Sequence, residues 1–203
     1  MLYQTIISEM PWNFIAVADD EQLYCLDIYP SHLACGFKAE FGNNPILERT
    51  REYLDCYFQG KCLPEIPPLA PANTPFAQSV RNAVLTLKPG ERISYKDLAL
   101  RLKDYEGRAS ILCRALGHSL HLNPFLLMVP CHRVVKSSGS PGAYKAGADL
   151  KAFLLDFERR HPQLADISPS SSTIDGGISV SGEIDGAKCS SSTLFRFKQK
   201  INW

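Results

Sequence analysis

The first sixty residues alternate short apolar runs with turn-forming residues, a pattern typical of β-strands joined by tight turns. The apolar runs lie at residues 5–7, 14–18 and 23–28, and Asp19-Asp20 between the last two predicts a hairpin turn. Residues 44–58 change to the spacing of an amphipathic helix. This part of the chain therefore predicts a small α/β region, an antiparallel sheet with one helix.

From residue 76 onwards the apolar positions follow helical spacing. One apolar stripe runs through residues 76–87. Ser94, with Asp97 three residues later, predicts the N-cap of a second helix in the style of a capping box. Residues 108–122 predict a third helix, and two short helices joined by a turn outline a helix-turn-helix.

Composition divides the chain into four parts. Residues 64–75 contain five prolines and predict an extended linker between a domain at 1–63 and a domain at 76–160. The second domain ends with a helix predicted from Ala148 to Arg160. Residues 161–203 are rich in Ser and Gly and lack periodicity, so we expect a disordered tail.

Charge is distributed unevenly, although the whole chain carries a formal net charge of only +1. Residues 1–79 hold four Lys and Arg against ten Asp and Glu, whereas residues 80–151 hold twelve against five. The basic middle segment predicts contact with a polyanion such as nucleic acid. A solvated basic surface without a partner is the alternative.

Cysteine usage favours a reducing compartment. The chain has seven cysteines at irregular spacings, and no signal peptide or membrane-length apolar run is evident. We therefore expect a cytoplasmic protein, or a nuclear one in a eukaryote, with no membrane contact. No CxxC spacing supports a metal site, so none is expected, although five N-terminal residues could be nominated as zinc ligands. They are Cys25, His32, Cys35, Cys56 and Cys62.

Residues 130–134 read Pro-Cys-His-Arg-Val and follow the apolar run 125–129. A cysteine beside a histidine and behind a rigid proline is typical of a nucleophile, because cysteine attacks as the thiolate and needs a base to form it. The alternative is an inert core cysteine next to an unrelated histidine. Five specified residues in order favour the nucleophile, since such a match is rare by chance.

This motif and several others resemble the O6-alkylguanine-DNA alkyltransferases, also called methylated-DNA–protein-cysteine methyltransferases. The resemblance covers residues 76–158, whereas residues 1–63 agree only in general character. The matching stretches are Ser94-Tyr95, Arg114-Ala115-Leu116-Gly117, Asn123-Pro124, Pro130-Cys131-His132-Arg133-Val134, Ser138-Gly139, Gly142-Ala143-Tyr144 and Glu158. The resemblance implies a ribonuclease H-like N-terminal α/β domain followed by a mainly α winged helix-turn-helix domain.

The resemblance also implies a reaction, the irreversible transfer of an alkyl group from guanine O6, and in some cases thymine O4, to the protein's own cysteine. Cys131 would accept the alkyl group and His132 would take its proton through a water, while Glu158 orients the imidazole. Tyr95 would hydrogen-bond the guanine as charge develops on it. Asn123 would brace the turn that carries the cysteine. No cofactor is implied.

The implied partner is double-stranded DNA containing O6-alkylguanine, bound by a monomer that flips the damaged base out of the duplex. Arg114 would fill the gap in the base stack, and Ala115 and Gly117 would allow close approach to the minor groove. Further DNA contacts are expected at Tyr95, Lys96 and Ser137, and substrate contacts at Val134, Tyr144 and Lys145. His118, Lys145 and Ala146 depart from the family pattern and put groove fit and pocket width in question.

Two other functions are open. A non-catalytic alkyltransferase-like protein would bind lesions without repairing them, but such relatives lack the cysteine that Cys131 provides. A cysteine hydrolase could use Cys131 with His132. Adjacent residues on a strand point to opposite faces, so either use of this pair requires a strained turn.

Overall fold

The N-terminal sheet contains four strands in the order β3-β2-β1-β4. They are β1 (Tyr3–Glu9), β2 (Trp12–Ala18), β3 (Leu23–Ile28) and β4 (Glu40–Phe41). The predicted antiparallel pairing is confirmed for β1 to β3, but β4 pairs parallel to β1 and makes the sheet mixed. Both residues of β4 are exposed, so no apolar run could have indicated the strand. The computed structural model describes residues 1–9, 11–30, 36–102, 105 and 109–166.

The hairpin predicted between β2 and β3 is confirmed. Asp19 Oδ1 accepts hydrogen bonds from the backbone N–H groups of Glu21 (2.9 Å) and Gln22 (2.8 Å). Tyr24 on β3 donates its hydroxyl to Asp19 Oδ2 at 2.8 Å. The short Asp side chain thus fixes the turn by replacing backbone partners with its own oxygens.

Helix α1 (Pro45–Phe58) confirms the first predicted helix and packs against β1 and β2. Asn44 caps it, because its side chain accepts the N–H of Leu47, and Pro45 occupies the first turn, where no N–H is needed. The face toward the sheet buries Leu47, Leu54 and Tyr57.

The outer edge of β3 is covered by two segments from later in the chain. Leu23 N donates to Pro68 O and Ala70 N donates to Leu23 O, both at 2.8 Å, so the proline-rich segment lies along one end of the edge. At the other end, Leu26 N donates to Pro124 O at 2.8 Å. The segment that leads to the Pro-Cys-His-Arg-Val motif is therefore attached directly to the sheet.

Four helices follow the proline-rich segment, namely α2 (Pro75–Leu85), α3 (Tyr95–Leu100), α4 (Ala109–His121) and α5 (Ala148–Arg160). The predicted N-cap is confirmed, since Asp97 N donates to Ser94 Oγ at 3.1 Å. The Asp97 carboxylate accepts from the Ser94 hydroxyl at 2.6 Å, which differs from a capping box, where it would accept from the backbone N–H of Ser94. Strands β5 (Ile93–Ser94) and β6 (Val134–Val135) pair in parallel. This pairing brings the start of α3 beside the motif.

The described residues after α5 are 161–166. Residues Pro162–Ala165 form a 3-10 turn that buries Leu164, and Cys62 Sγ donates to Asp166 O at 2.9 Å. The remainder of the predicted tail, 167–203, lies outside the described residues. Within the part of the chain that the structure describes, no helix has the length and apolar character needed to cross a membrane.

Candidate active site

Cys131, His132 and Arg133 form a single 3-10 turn at the end of a buried segment. Before the turn, Leu127 adopts φ = 69°, a left-handed conformation that costs a residue with a side chain about 1–3 kcal/mol. The surrounding core compensates for this cost. The adjacent Cys and His thus occupy a turn with a left-handed residue close before it, as the sequence required, and not an extended strand.

The Asn123 side chain contacts both the Cys131 sulfur and the backbone of the segment that leads to the turn. Its Nδ2 lies 3.1 Å from Cys131 Sγ, 3.1 Å from Val129 O and 3.2 Å from Phe125 O. Its Oδ1 accepts the Phe125 N–H at 3.1 Å. The predicted bracing position of Asn123 is therefore accompanied by a direct contact with the sulfur.

Burial raises the pKa of the Cys131 thiol, while the Asn123 and Tyr144 side chains and, to a smaller extent, the charges of Lys151 and Lys145 partly offset that effect. The net direction favours the neutral thiol at rest. A thiol is a weak nucleophile, so the site needs a base that removes its proton when the substrate is in place.

The Glu158 carboxylate on α5 accepts hydrogen bonds from four residues. His132 Nε2 lies 2.7 Å from Oε1, and Tyr57 donates its hydroxyl to the same oxygen at 2.9 Å. Arg133 donates from Nη2 at 2.8 Å to Oε1 and from Nε at 3.0 Å to Oε2. The backbone N–H of Gly90 donates to Oε2 at 2.9 Å. The side chains of His132 and Glu158 are fully buried.

These contacts determine the protonation of the pair. Burial opposes ionisation of Glu158, but the contacts with His132 and Arg133 outweigh it and hold the pKa of Glu158 well below its usual range. Burial lowers the pKa of His132 in spite of the attraction of Glu158, so the imidazole is neutral near pH 7.

The single imidazole proton can then be assigned from the hydrogen bonds. A carboxylate only accepts, so the proton of neutral His132 lies on Nε2, and Nδ1 carries the free lone pair. Nδ1 is buried and has no hydrogen-bond partner among the described residues. His132 is therefore arranged as a base whose proton-accepting atom is unoccupied.

A cavity of about 680 Å³ lies beside Cys131, within the size range of small-ligand sites. Tyr95 and Tyr144 are among its lining residues, and burial raises the pKa of both, so each hydroxyl keeps its proton and remains a hydrogen-bond donor. The Tyr144 hydroxyl is buried, and its geometry meets the criteria for a hydrogen bond with none of the described residues. It nevertheless lies close enough to Cys131 for the cysteine to raise its pKa. Further lining residues are Lys96, Gly117, His118, Ser137 and Lys145.

The structure brings most of the predicted site residues together. The turn itself contains Cys131 and His132, and the side chains of Asn123 and Glu158 contact it. Six others line the cavity: Tyr95, Lys96, Gly117, Ser137, Tyr144 and Lys145. Arg114 and Ala115 lie on the exposed face of α4, outside the lining.

Val134 also lies apart from the cavity lining. It is fully buried, its backbone N–H donates to Cys131 O, and its carbonyl accepts Lys151 Nζ at 2.6 Å. Both backbone groups of Val134 therefore have partners within the protein.

Sequence reasoning gave no role to four residues of the site. Arg133 lies within the motif, and its charge was the one available signal. Tyr57 precedes Glu158 by 101 residues, and Asp27 precedes its partner Lys145 by 118, so no local pattern could connect either pair. Lys151 is buried on α5, and burial lowers its pKa to about 8.

The nominated zinc ligands do not form a cluster where the structure describes them. Among the described residues, no three His, Cys, Asp or Glu side chains lie together as metal ligands. His32 and Cys35 lie outside the described ranges. Cys25 is fully buried, and burial raises its pKa to about 12.

Comparison with known proteins relates this geometry to a family. The model of the 6-O-methylguanine DNA methyltransferase DNA-binding domain matches residues 75–160. The methylated-DNA–protein-cysteine methyltransferase of Methanosarcina barkeri is 32% identical over 162 residues, covering 79% of this chain and 99% of that protein. Its namesake in Metallosphaera sedula is 36% identical over 144 residues, covering 70% and 83%.

Solved structures of similar proteins agree. The O6-methylguanine methyltransferase of Mycobacterium tuberculosis is 25% identical, with a TM-score of 0.68, and covers 84% of this chain and 97% of its own. The OGT protein of the same organism, solved in complex with DNA, is 26% identical with a TM-score of 0.68, and the match covers 81% of this chain and 99% of that one.

Fold and site together define a protein with a DNA-binding domain and a buried cysteine–histidine–carboxylate arrangement. The chain belongs to the methylated-DNA–protein-cysteine methyltransferase family.

Proposed function

We propose that this protein repairs O6-alkylguanine in duplex DNA by moving the alkyl group to Cys131, once per molecule. The family reaction is transfer of a methyl group from methylated DNA to a protein cysteine, and this chain is a DNA repair methyltransferase of that kind. The observation that carries the assignment of the acceptor is the contact of Cys131 with Asn123 beside the buried His132–Glu158 pair. A non-catalytic lesion binder would not need this arrangement.

The reaction begins with removal of the Cys131 proton. Because the thiol is favoured at rest, the proton passes through a water to the free Nδ1 of His132. The imidazolium that forms is stabilised by ionised Glu158 at 2.7 Å. Arg133 and Tyr57 keep the carboxylate in place, so its orientation does not depend on His132 alone.

Alkyl transfer is then a displacement at the alkyl carbon. The thiolate sulfur forms a bond to that carbon, the carbon–O6 bond breaks, and its electron pair remains on the guanine. Tyr95, which also lines the cavity, donates a hydrogen bond or its proton to the base as negative charge develops. The proton on His132 passes through solvent to the guanine anion, or to Tyr95 where Tyr95 has given up its own proton, and the products are a thioether and normal guanine.

The base reaches the cavity after leaving the helical stack. Arg114, on the exposed face of α4, fills the vacated position in the duplex, and Ala115 and Gly117 let the helix approach the minor groove. A Cβ placed on Gly117 would meet no atom within 4 Å, so that surface of α4 is open. Lys96 and Ser137 at the cavity edge bind the neighbouring backbone.

We extend the proposal to the folds of the two domains. The mixed sheet with α1 is a ribonuclease H-like domain at 1–63, and α3, α4 and the β5–β6 pair form a winged helix-turn-helix within 76–160. The protein acts as a monomer in this proposal, because Cys131, the cavity beside it and helix α4 all belong to the same chain.

The test is peptide-resolved mass spectrometry after incubation with a duplex that contains one O6-methylguanine. We expect a gain of about 14 Da on the Cys131 peptide, the mass of one CH₂. Cys113→Ala is the matched control, because Cys113 lines the same cavity and should be dispensable. Methylation of Cys131→Ala, or of Cys113 in the wild type, would overturn the assignment of the acceptor.

A further inference from the structure

Lys145 is fixed in the cavity wall by contacts from two other parts of the chain. Its Nζ forms an ion pair with Asp27 Oδ2 on β3 at 2.9 Å and donates to Asn123 O at 3.2 Å. The two side chains of the ion pair are only 15% and 8% exposed. This ammonium is therefore held at one position and is largely shielded from water.

Asn123 connects that ammonium to the reactive sulfur. Its carbonyl accepts from Lys145, and its side-chain amide donates to Cys131 Sγ at 3.1 Å. Lys145 and Cys131 line the same cavity. A positive charge close to a buried thiol favours the thiolate, and low exposure makes the interaction stronger than it would be in water.

We propose that Lys145 stabilises the Cys131 thiolate as it forms, and that Asp27 positions the ammonium and limits its effect. The role lies in the side-chain charge of Lys145 and is separate from any substrate contact of its backbone. It rests on the proposed function only in taking Cys131 as the nucleophile. The opposing effect of Lys145 on the raised pKa of Cys131 supports it.

Other titratable groups lie on the same turn as Cys131 or line the cavity beside it. They are His132 and Arg133 on the turn, Tyr95 and Lys96 on α3, Cys113, His118 and His121 on α4, Lys136 and Tyr144 between β6 and α5, and Lys151 on α5. Lys151 is the second buried cation, and it donates to the Val134 carbonyl. Lys145, unlike Lys151 among the described residues, forms an ion pair with a carboxylate. A substitution of Asp27 therefore changes the electrostatic effect of Lys145 on Cys131.

The pairing gives the two partners opposite effects. Removing the charge of Lys145 makes the thiolate harder to form. Removing the charge of Asp27 leaves Lys145 uncompensated and makes the thiolate easier to form. A role limited to holding the loop in place would move both variants in the same direction.

The experiment measures the rate of Cys131 carboxamidomethylation by iodoacetamide against pH, with peptide mapping to separate Cys131 from the other cysteines. Lys145→Met should move the midpoint upward by about half a pH unit, roughly a threefold loss of rate at a fixed pH below it. Asp27→Asn should move the midpoint downward. Lys145→Arg should stay near the wild type, and Lys136→Met, at an exposed lysine of the cavity edge, should move it less.

Shifts of the same sign in Lys145→Met and Asp27→Asn, or no shift in either, would refute the proposal. If Lys145→Met does not fold, Asp27→Asn alone decides, with a downward shift in support and an unchanged or upward midpoint against. Iodoacetamide needs no DNA, so failure of the wild type to accept methyl from O6-methylguanine DNA would reject the proposed function and leave this result intact.

Discussion

Glu158 is the residue on which the geometry of the site depends most. It joins α5 to the motif through His132 and Arg133, to α1 through Tyr57 and to the turn before β5 through Gly90. The sequence indicated Glu158 as a partner of His132 through family resemblance. The contacts with Tyr57 and Gly90 had no sequence signal, because they join positions far apart in the chain.

Replacement of Glu158 by Gln should lower the free energy of unfolding by about 3–5 kcal/mol, because it leaves the buried Arg133 guanidinium without its counter-charge. Equilibrium urea unfolding at pH 7 measures the loss. Tyr57→Phe is the milder control and should cost about 1.5–3 kcal/mol, the range for a hydrogen bond to a charged group. A loss below about 1 kcal/mol in Glu158→Gln would show that the network contributes little to folding.

The same substitution has a defined pH dependence. The pKa of Glu158 is lower in the folded protein than its ordinary value of 4.5, so its stabilising contribution is complete above that value. It is lost as the pH falls further toward the folded pKa. The difference in unfolding free energy between wild type and Glu158→Gln should therefore be constant from pH 6 to 8 and narrow below about 4.5. A difference that widens in acid would contradict the ionised state of Glu158.

At the scale of elements, local signals predicted the helices well and the pairing of short strands poorly. Helix α5 was predicted at its observed bounds, because its apolar face is clear. Strands β5 and β6 have two residues each, too short for any periodicity, yet their pairing brings α3 to the cavity. The turn at 131–133 was required by chemistry, but its left-handed Leu127 could not be read from the sequence.

Helix α4 offers a test in which stability and DNA affinity change in opposite directions. Gly117→Ala should raise the free energy of unfolding by up to about 1 kcal/mol, since alanine favours the helix and the added Cβ meets no atom. It should weaken duplex binding if α4 approaches the groove closely at this position. Thermal unfolding and fluorescence anisotropy with a short duplex measure the two effects, and unchanged affinity would remove Gly117 from the DNA interface.

At the scale of the whole molecule, the excess of basic residues lies in the same part of the chain as the matched DNA-binding domain. Residues 80–151 contain twelve Lys and Arg against five Asp and Glu, and the matched DNA-binding region spans 75–160. The acidic first half instead supplies Asp27 and Tyr57, which support the site from the sheet and from α1. The sequence predicted contact with nucleic acid for the basic segment 80–151, which lies within the matched DNA-binding region. Nothing in the sequence indicated that the acidic segment 1–79 contributes to the site.

DNA binding should therefore weaken steeply with salt. Each phosphate neutralised adds about 0.9 to the negative slope of log affinity against log salt concentration. We expect a slope of several units for undamaged duplex, with little dependence on sequence, measured by anisotropy titrations at increasing NaCl. Truncation after Asp166 is the control for the tail and should leave the slope unchanged, while a slope near zero would remove the basic segment from the interface.

Counting methyl groups shows whether Cys131 is consumed in the reaction. Protein is incubated with a tenfold excess of duplex that carries radiolabelled O6-methylguanine, and repaired base and labelled protein are both followed to completion. We expect a plateau at one repaired base per protein molecule, with every methyl group that leaves the DNA recovered on the protein and none released as a small molecule. Repair that continues beyond one equivalent, or label released into solution, would contradict it.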